Sequence, residues 1–129
     1  MEEKTINLLI GERDPFARRQ LERILPPPFN LIFVEDGTEI LIKAKNIWPS
    51  LIILEALLPS ADGFKVCQQL KSDPETKSTP VLFYTVLRAE ARARQAGADG
   101  FLLKPQPPEK LLTSINNFLI NPETKGESK

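Results

Sequence analysis

Five polar residues stand directly after apolar runs. Glu12 and Arg13 follow Ile6 to Ile10 across one glycine, Glu55 follows Leu51 to Leu54, Thr85 follows Val81 to Tyr84, and Lys104 follows Phe101 to Leu103. Two carboxylates, a guanidinium, a hydroxyl and an ammonium can hold a cation, hold an anion, or neutralise one another. Setting Glu12 and Glu55 against Arg13 and Lys104 gives a formal sum of zero, so such a set has no electrostatic need for a divalent ion. Arg13 has no lone pair to offer a metal and keeps its charge at any ordinary pH. Histidine is absent and cysteine occurs once, which removes the usual zinc and histidine-based catalytic sets and any internal disulfide.

The elements that must position these residues are legible in the spacing. The apolar runs at 6–10, 31–34, 51–54, 81–84 and 101–103 have strand length, and most are apolar throughout, as strands covered on both faces require. Helical patterns alternate with them. Asp14-Pro15 reads as an N-cap and first helical residue, with Ala17, Leu21, Ile24 and Leu25 on one face until Pro26-Pro27-Pro28. Gly37-Thr38 opens a second helix with Leu41 and Ala44 inward, and Trp48 at its end is expected to pack at the sheet's edge. Asp62-Gly63 opens a third carrying Phe64, Cys67 and Leu70, with Cys67 as a small core residue. Arg88 to Ala96 forms a fourth, ended by Gly97, and Pro108 to Ile120 a fifth. Such alternation predicts an α/β, doubly wound parallel sheet of the flavodoxin-like (βα)5 kind, strand order 2-1-3-4-5, in one three-layer domain. Residues 1–5 read as a tail, 6–120 as the domain, and 121–129 as a disordered tail. In such sheets the functional crevice lies beyond the carboxyl ends of the strands, where the five polar residues fall.

A length of 129 residues suits one domain. Seventeen basic and seventeen acidic residues cancel, so no global field draws the chain to nucleic acid or anionic lipid. The N-terminus is polar, unlike a signal peptide, and no apolar run approaches the ~18 residues that span a bilayer. A cytoplasmic protein with neither membrane nor nucleic-acid partner is expected.

The segment from Leu51 to Phe64, with Asp62-Gly63 near its end, resembles the phospho-acceptor strand of bacterial response-regulator receiver domains. Gly97-Ala98-Asp99-Gly100 and Lys104-Pro105 resemble the same family before and after its fifth strand. The resemblance covers roughly residues 5 to 120. It implies that Glu12-Arg13 stands for an acidic pair that helps bind Mg²⁺. It likewise implies that Glu55 stands for the acceptor aspartate, Thr85 for the hydroxyl that contacts the phosphoryl group, and Lys104 for the lysine that pairs with it. It also makes a cis Lys104–Pro105 bond plausible. A family-typical pocket of three carboxylates and one lysine is formally −2 and needs a divalent cation before a phosphoryl anion can approach. Here the expectation is that Arg13 occupies the metal's space and that Glu55, whose carboxylate reaches toward Lys104, Arg13 or Thr85, is fixed by a salt bridge. Mg²⁺ binding, phosphate acceptance and enzymatic activity are then all expected to be lost. Glu55 would partly imitate an aspartyl-phosphate, at −1 rather than about −1.5 to −2.

The resemblance further implies a partner face around Phe101, the counterpart of a switching aromatic, with Arg88, Arg92 and Arg94 as a basic rim suited to an acidic partner. The stretch from Thr85 to Gly97 is about a helical turn shorter than is typical of the family, which argues against conventional switching. Because nothing follows Lys129, a stand-alone degenerate receiver (a pseudo-receiver) is expected. It would act on a histidine kinase or a downstream effector as a monomer or weak homodimer. The competing reading is a phosphorelay receiver with a non-standard acceptor. A flavodoxin-like FMN protein is disfavoured because Gly11-Glu12-Arg13-Asp14-Pro15 offers one glycine and two acids instead of a phosphate loop.

Overall fold

Side chains leave a strand on alternate faces, and this chain uses both faces for core. Leu8, Ile10, Leu51, Ile53, Leu82 and Tyr84 point one way, and Leu9, Ile52, Leu54, Val81 and Phe83 the other; all are buried. A computed structural model describes residues 4–120. In chain order it contains β1 (Ile6–Gly11), α1 (Pro15–Ile24), β2 (Phe29–Val34), α2 (Gly37–Ile47), β3 (Leu51–Leu54), α3 (Gly63–Ser72), β4 (Val81–Thr85), α4 (Glu90–Gln95), β5 (Gly100–Leu103) and α5 (Pro108–Ile120). All neighbouring strands are parallel, in the order β2-β1-β3-β4-β5. The first strand face packs on α1 and α5 through Leu21, Leu111, Ile115 and Phe118. The second packs on α2, α3 and α4 through Ile40, Ala44, Phe64, Cys67, Leu70 and Ala93. The expected three-layer, doubly wound fold is the one found.

Local chemistry sets the helix starts. Asp14 accepts from the Phe16 amide at 3.1 Å, with Pro15 at the first helical position. Asp36 accepts from the Thr38 amide at 2.8 Å, and Asp62 from the Lys65 amide at 2.9 Å. At α3 the start is also pressed against the site. A Cβ on Gly63 would lie 2.7 Å from the Glu55 carbonyl oxygen and 2.8 Å from the Ala56 Cα. Only glycine lets α3 sit that close to the acceptor-position backbone.

Several expectations shift. β2 begins at Phe29 rather than Leu31, and β1 and β4 each run one residue further, while β5 starts at Gly100. On α2 the buried residues are Gly37, Ile40 and Ala44, an i, i+4 pair that leaves Leu41 half-buried. Trp48 does not pack at the sheet's edge. It is 72% exposed and caps α2 in the left-handed conformation (φ 57°), which turns its side chain outward while Pro49 takes the buried place. The fourth helix is only Glu90–Gln95, so Arg88 lies in the loop before it, and its N-cap Ala89 has no side-chain capping bond. Lys104–Pro105 is cis, as is Pro27–Pro28. The tail from 121 to 129 lies outside the described residues, as do residues 1–3 of the N-terminal tail. No helix among the described residues is long and apolar enough to cross a membrane.

Candidate functional site

β1 and β3 lie side by side at the centre of the sheet, and the crevice opens beyond their carboxyl ends, where the winding reverses. Backbone bonds carry the ladder one residue past the strands. The Glu12 amide donates to Val34 O at 2.9 Å, the Glu55 amide to Gly11 O at 2.9 Å, and the Lys104 amide to Thr85 O at 2.8 Å. Three functional side chains are therefore fixed at their roots by the sheet itself. Glu12 is 3% exposed, Glu55 6%, and Thr85 fully buried.

Lys104 reaches between the two carboxylates. Its Nζ lies 2.7 Å from Glu12 Oε1 and 2.9 Å from Glu55 Oε1, and its side chain is only 10% exposed. The other carboxylate oxygens are also taken. Glu12 Oε2 accepts from the Asp14 amide at 3.0 Å, and Glu55 Oε2 accepts from the Leu57 amide at 3.0 Å and from the Thr85 hydroxyl. Thr85 Oγ1 in turn accepts from the Leu87 amide at 3.2 Å, tying the loop after β4 to the cluster. Among the described residues no buried side-chain nitrogen or oxygen lacks a partner.

Burial dominates the electrostatics. It pushes the Glu12 carboxyl above its ordinary range, against the bonds from Lys104 and the Asp14 amide. Burial also works to strip the Lys104 proton, but the two carboxylates outweigh it and hold the ammonium above its ordinary value. The enclosed cluster is two carboxylates and one ammonium, −2 + 1 = −1, with all three groups mutually satisfied.

Arg13 is not the internal cation. Its side chain is exposed at the crevice mouth beside Leu57 and Val86, and no ion pair within 4.0 Å involves it among the described residues. Arg13 lies past the end of β1, in the loop that leads to α1, where its side chain faces solvent. The neutralising cation is Lys104 alone, and the expected zero sum becomes −1 inside with Arg13 at the rim. Among the described residues no three histidine, cysteine, aspartate or glutamate side chains gather into a metal-binding group.

The expected partner face divides. Phe101 is half-buried, its ring 6.5 Å from that of Phe83, and it lines a groove with Arg88, Glu90, Gln106 and Lys110. Arg92 is elsewhere, with its guanidinium 4.1 Å over the Phe64 ring on α3. Arg94 pairs with Glu90 one turn back at 3.0 Å. The three arginines do not form one rim, because α4 starts two residues late and turns Arg92 toward α3. Sequence reasoning also missed the backbone donors of Asp14 and Leu57; a carboxylate two residues before a turn is the signal that finds them.

The family model for the response regulator receiver domain matches residues 8–116. The chain belongs to this receiver family of two-component signalling. A probable transcriptional regulator, ycf27, of Porphyra purpurea is 29% identical over 123 residues, covering 92% of this chain and 49% of that protein. Protein PilG of Pseudomonas aeruginosa is 29% identical over 114 residues, covering 85% of this receiver and 84% of PilG. The crystal structure of a putative response regulator from Chloroflexus aurantiacus is 30% identical, covers 91% of this receiver and 99% of that chain, and superposes with a TM-score of 0.84. The chain spans about half the length of the first curated relatives it matches.

Proposed function

We propose that this receiver signals by protein–protein contact without phosphotransfer, with Glu55 standing where the phosphoryl group of a working receiver would stand. One observation carries the reading. The Glu55 carboxylate at once accepts from the Thr85 hydroxyl and the Leu57 amide and pairs with Lys104. These are the hydroxyl and the lysine that the family resemblance assigns to phosphoryl contact. A carboxylate at −1 replaces a group of about −1.5 to −2, and the cluster is closed by the chain's own side chains.

Receiver domains bind Mg²⁺ in this cleft. The donors present here do not suit the ion: both carboxylates are engaged by the Lys104 ammonium, and the residue after Glu12 is an arginine, which cannot ligate it. Loss of metal binding is therefore part of the proposal, as is a non-enzymatic role toward a histidine kinase or a downstream effector.

The test is to add Mg²⁺ with beryllofluoride, or with a small acyl phosphate, and to follow amide NMR shifts and intact mass. The expected result is an unchanged spectrum and mass. A phosphoryl adduct on Glu55 would establish the phosphorelay reading instead. In the double variant Arg13→Asp, Glu55→Asp, the shorter acceptor withdraws from Lys104 and a carboxylate replaces the rim cation. That variant is expected to gain Mg²⁺-dependent shifts that the parent lacks.

A further inference from the structure

Lys104 is held at its root as firmly as at its tip. The turn that follows β5 is pinned from inside by Gln106, whose Nε2 donates to Leu103 O at 2.7 Å. It is pinned from outside by Gln20 on α1, whose Nε2 donates to Gln106 O at 3.1 Å. Gln20 is itself oriented by Tyr84, whose hydroxyl donates to Gln20 Oε1 at 2.8 Å. An amide that accepts through oxygen and donates through nitrogen has one orientation that serves both bonds, so the Tyr84 hydroxyl fixes which way Gln20 faces. Tyr84 is 1% exposed, and its ring centroid lies 5.6 Å from Lys104 Nζ. The same side chain thus lines the ammonium's path with its ring and orders the turn with its hydroxyl.

We propose that Gln20 and Tyr84 are positioning residues that place the Lys104 ammonium between Glu12 and Glu55. Neither touches a carboxylate; both act through the turn from Leu103 to Gln106. The relay joins α1, β4 and the β5–α5 turn, so the closed state of the crevice depends on the outer α1 layer as well as on the sheet. The role of Lys104 as the closing cation rests on the functional reading above, but its placement by the relay is a separate matter and is tested separately.

The experiment measures exchange of the Lys104 ammonium protons by nitrogen-15 NMR, with the signal assigned by its loss in Lys104→Arg. The compared proteins are the parent, Tyr84→Phe (which keeps the ring and loses the hydroxyl) and Gln20→Met (which keeps the length and loses the amide). Each single variant is expected to speed exchange fivefold or more, and the double variant little beyond either single, because the two groups act as one unit. A merely structural role lowers the melting temperature without moving Lys104 exchange, so folded variants whose exchange rises by less than fivefold overturn the proposal. If Gln20→Met does not fold, Gln20→Asn, which retains the amide but retracts it by one methylene, takes its place with the same expectation. Beryllofluoride and Mg²⁺ added to the same samples separate the two claims. Shifts in the parent would sink the closed-pocket reading, while the exchange comparison still decides the relay.

Discussion

Lys104 keeps its proton in a place that by itself would favour losing it, because the Glu12 and Glu55 carboxylates lie 2.7 and 2.9 Å from its ammonium. At pH 7 the contributions of Lys104 and Glu12 to stability have opposite signs. The Lys104 value is raised above 10.5, so its stabilisation is complete below pH 10.5 and is lost as pH rises through the raised value. The Glu12 value is raised above 4.5 by burial, so ionising it costs stability as pH rises from 4.5 through that value. Replacing Lys104 by methionine removes the cation paired with both carboxylates and leaves them enclosed. At pH 7 this should cost about 3–5 kcal/mol in urea unfolding, the usual range for a broken buried pair. The loss should shrink on moving from pH 7 to pH 5, as a freed carboxyl takes up a proton; a penalty independent of pH would show that the carboxylates escape to water instead. Glu12, Glu55, Thr85 and Lys104 could be read from the sequence because each ends a strand, and parallel strands bring their ends together. Arg13 stands past the last residue of β1, where no periodicity fixes its direction, and its charge argued for the wrong place. Tyr84 and Gln20 are separated by 64 positions, and nothing local in either segment announces their bond.

The strands and caps were legible because their signals are local: an apolar run, or an aspartate before a helix. Elements whose limits depend on tertiary contact were not. α4 is the clearest case, since six residues make less than two turns and Ala89 supplies no cap, so the helix depends on what holds its face. That face is held by Ala93 in the core and by Arg92 on the Phe64 ring, which continues through Phe83, 5.4 Å from Phe64, to Phe101. Trp48 failed for a related reason: a left-handed C-cap sends its ring away from the sheet, and the aromatic character of the residue says nothing about that turn. The two arginines of α4 therefore differ in weight. Arg92→Ala should cost about 0.5–1 kcal/mol, the worth of an exposed cation–π contact. Arg94→Ala should cost about 0.3–0.5 kcal/mol, that of an exposed i, i+4 pair. Hydrogen exchange should show the α4 amides losing protection in the first variant and almost unchanged in the second; equal loss in both would mean that charge on the helix, and not the contact of Arg92 with Phe64, keeps α4 in place.

The sheet divides the molecule into two apolar layers that share every strand, so neither layer can be lost without exposing the reverse face of the other. Cys67 tests whether they open together. It is fully buried on α3 within the α2–α3–α4 layer, between the helix and β3–β4. Burial pushes its thiol up to about 11, with Lys71 working weakly against this and Asp99 with it. At pH 8 the native thiolate fraction is then on the order of one in a thousand, and the sulfur is out of a reagent's reach, so alkylation can proceed only through an opened state. In Lys71 the layer has a clamp across its edge: the ammonium bonds Thr79 O and Asp99 Oδ2, each at 2.8 Å, tying the end of α3 to the chain before β4 and β5. The clamp couples opening of α3 to the chain that enters β4 and β5. Labelling of Cys67 in increasing urea should therefore rise with the same denaturant dependence as global unfolding followed by circular dichroism. In Lys71→Met the labelling rate in water should rise more than the fall in global stability explains, since α3 is then released locally. Rapid labelling of the parent, with a shallow urea dependence, would mean that the α3 layer opens on its own and that the shared sheet does not couple the two cores.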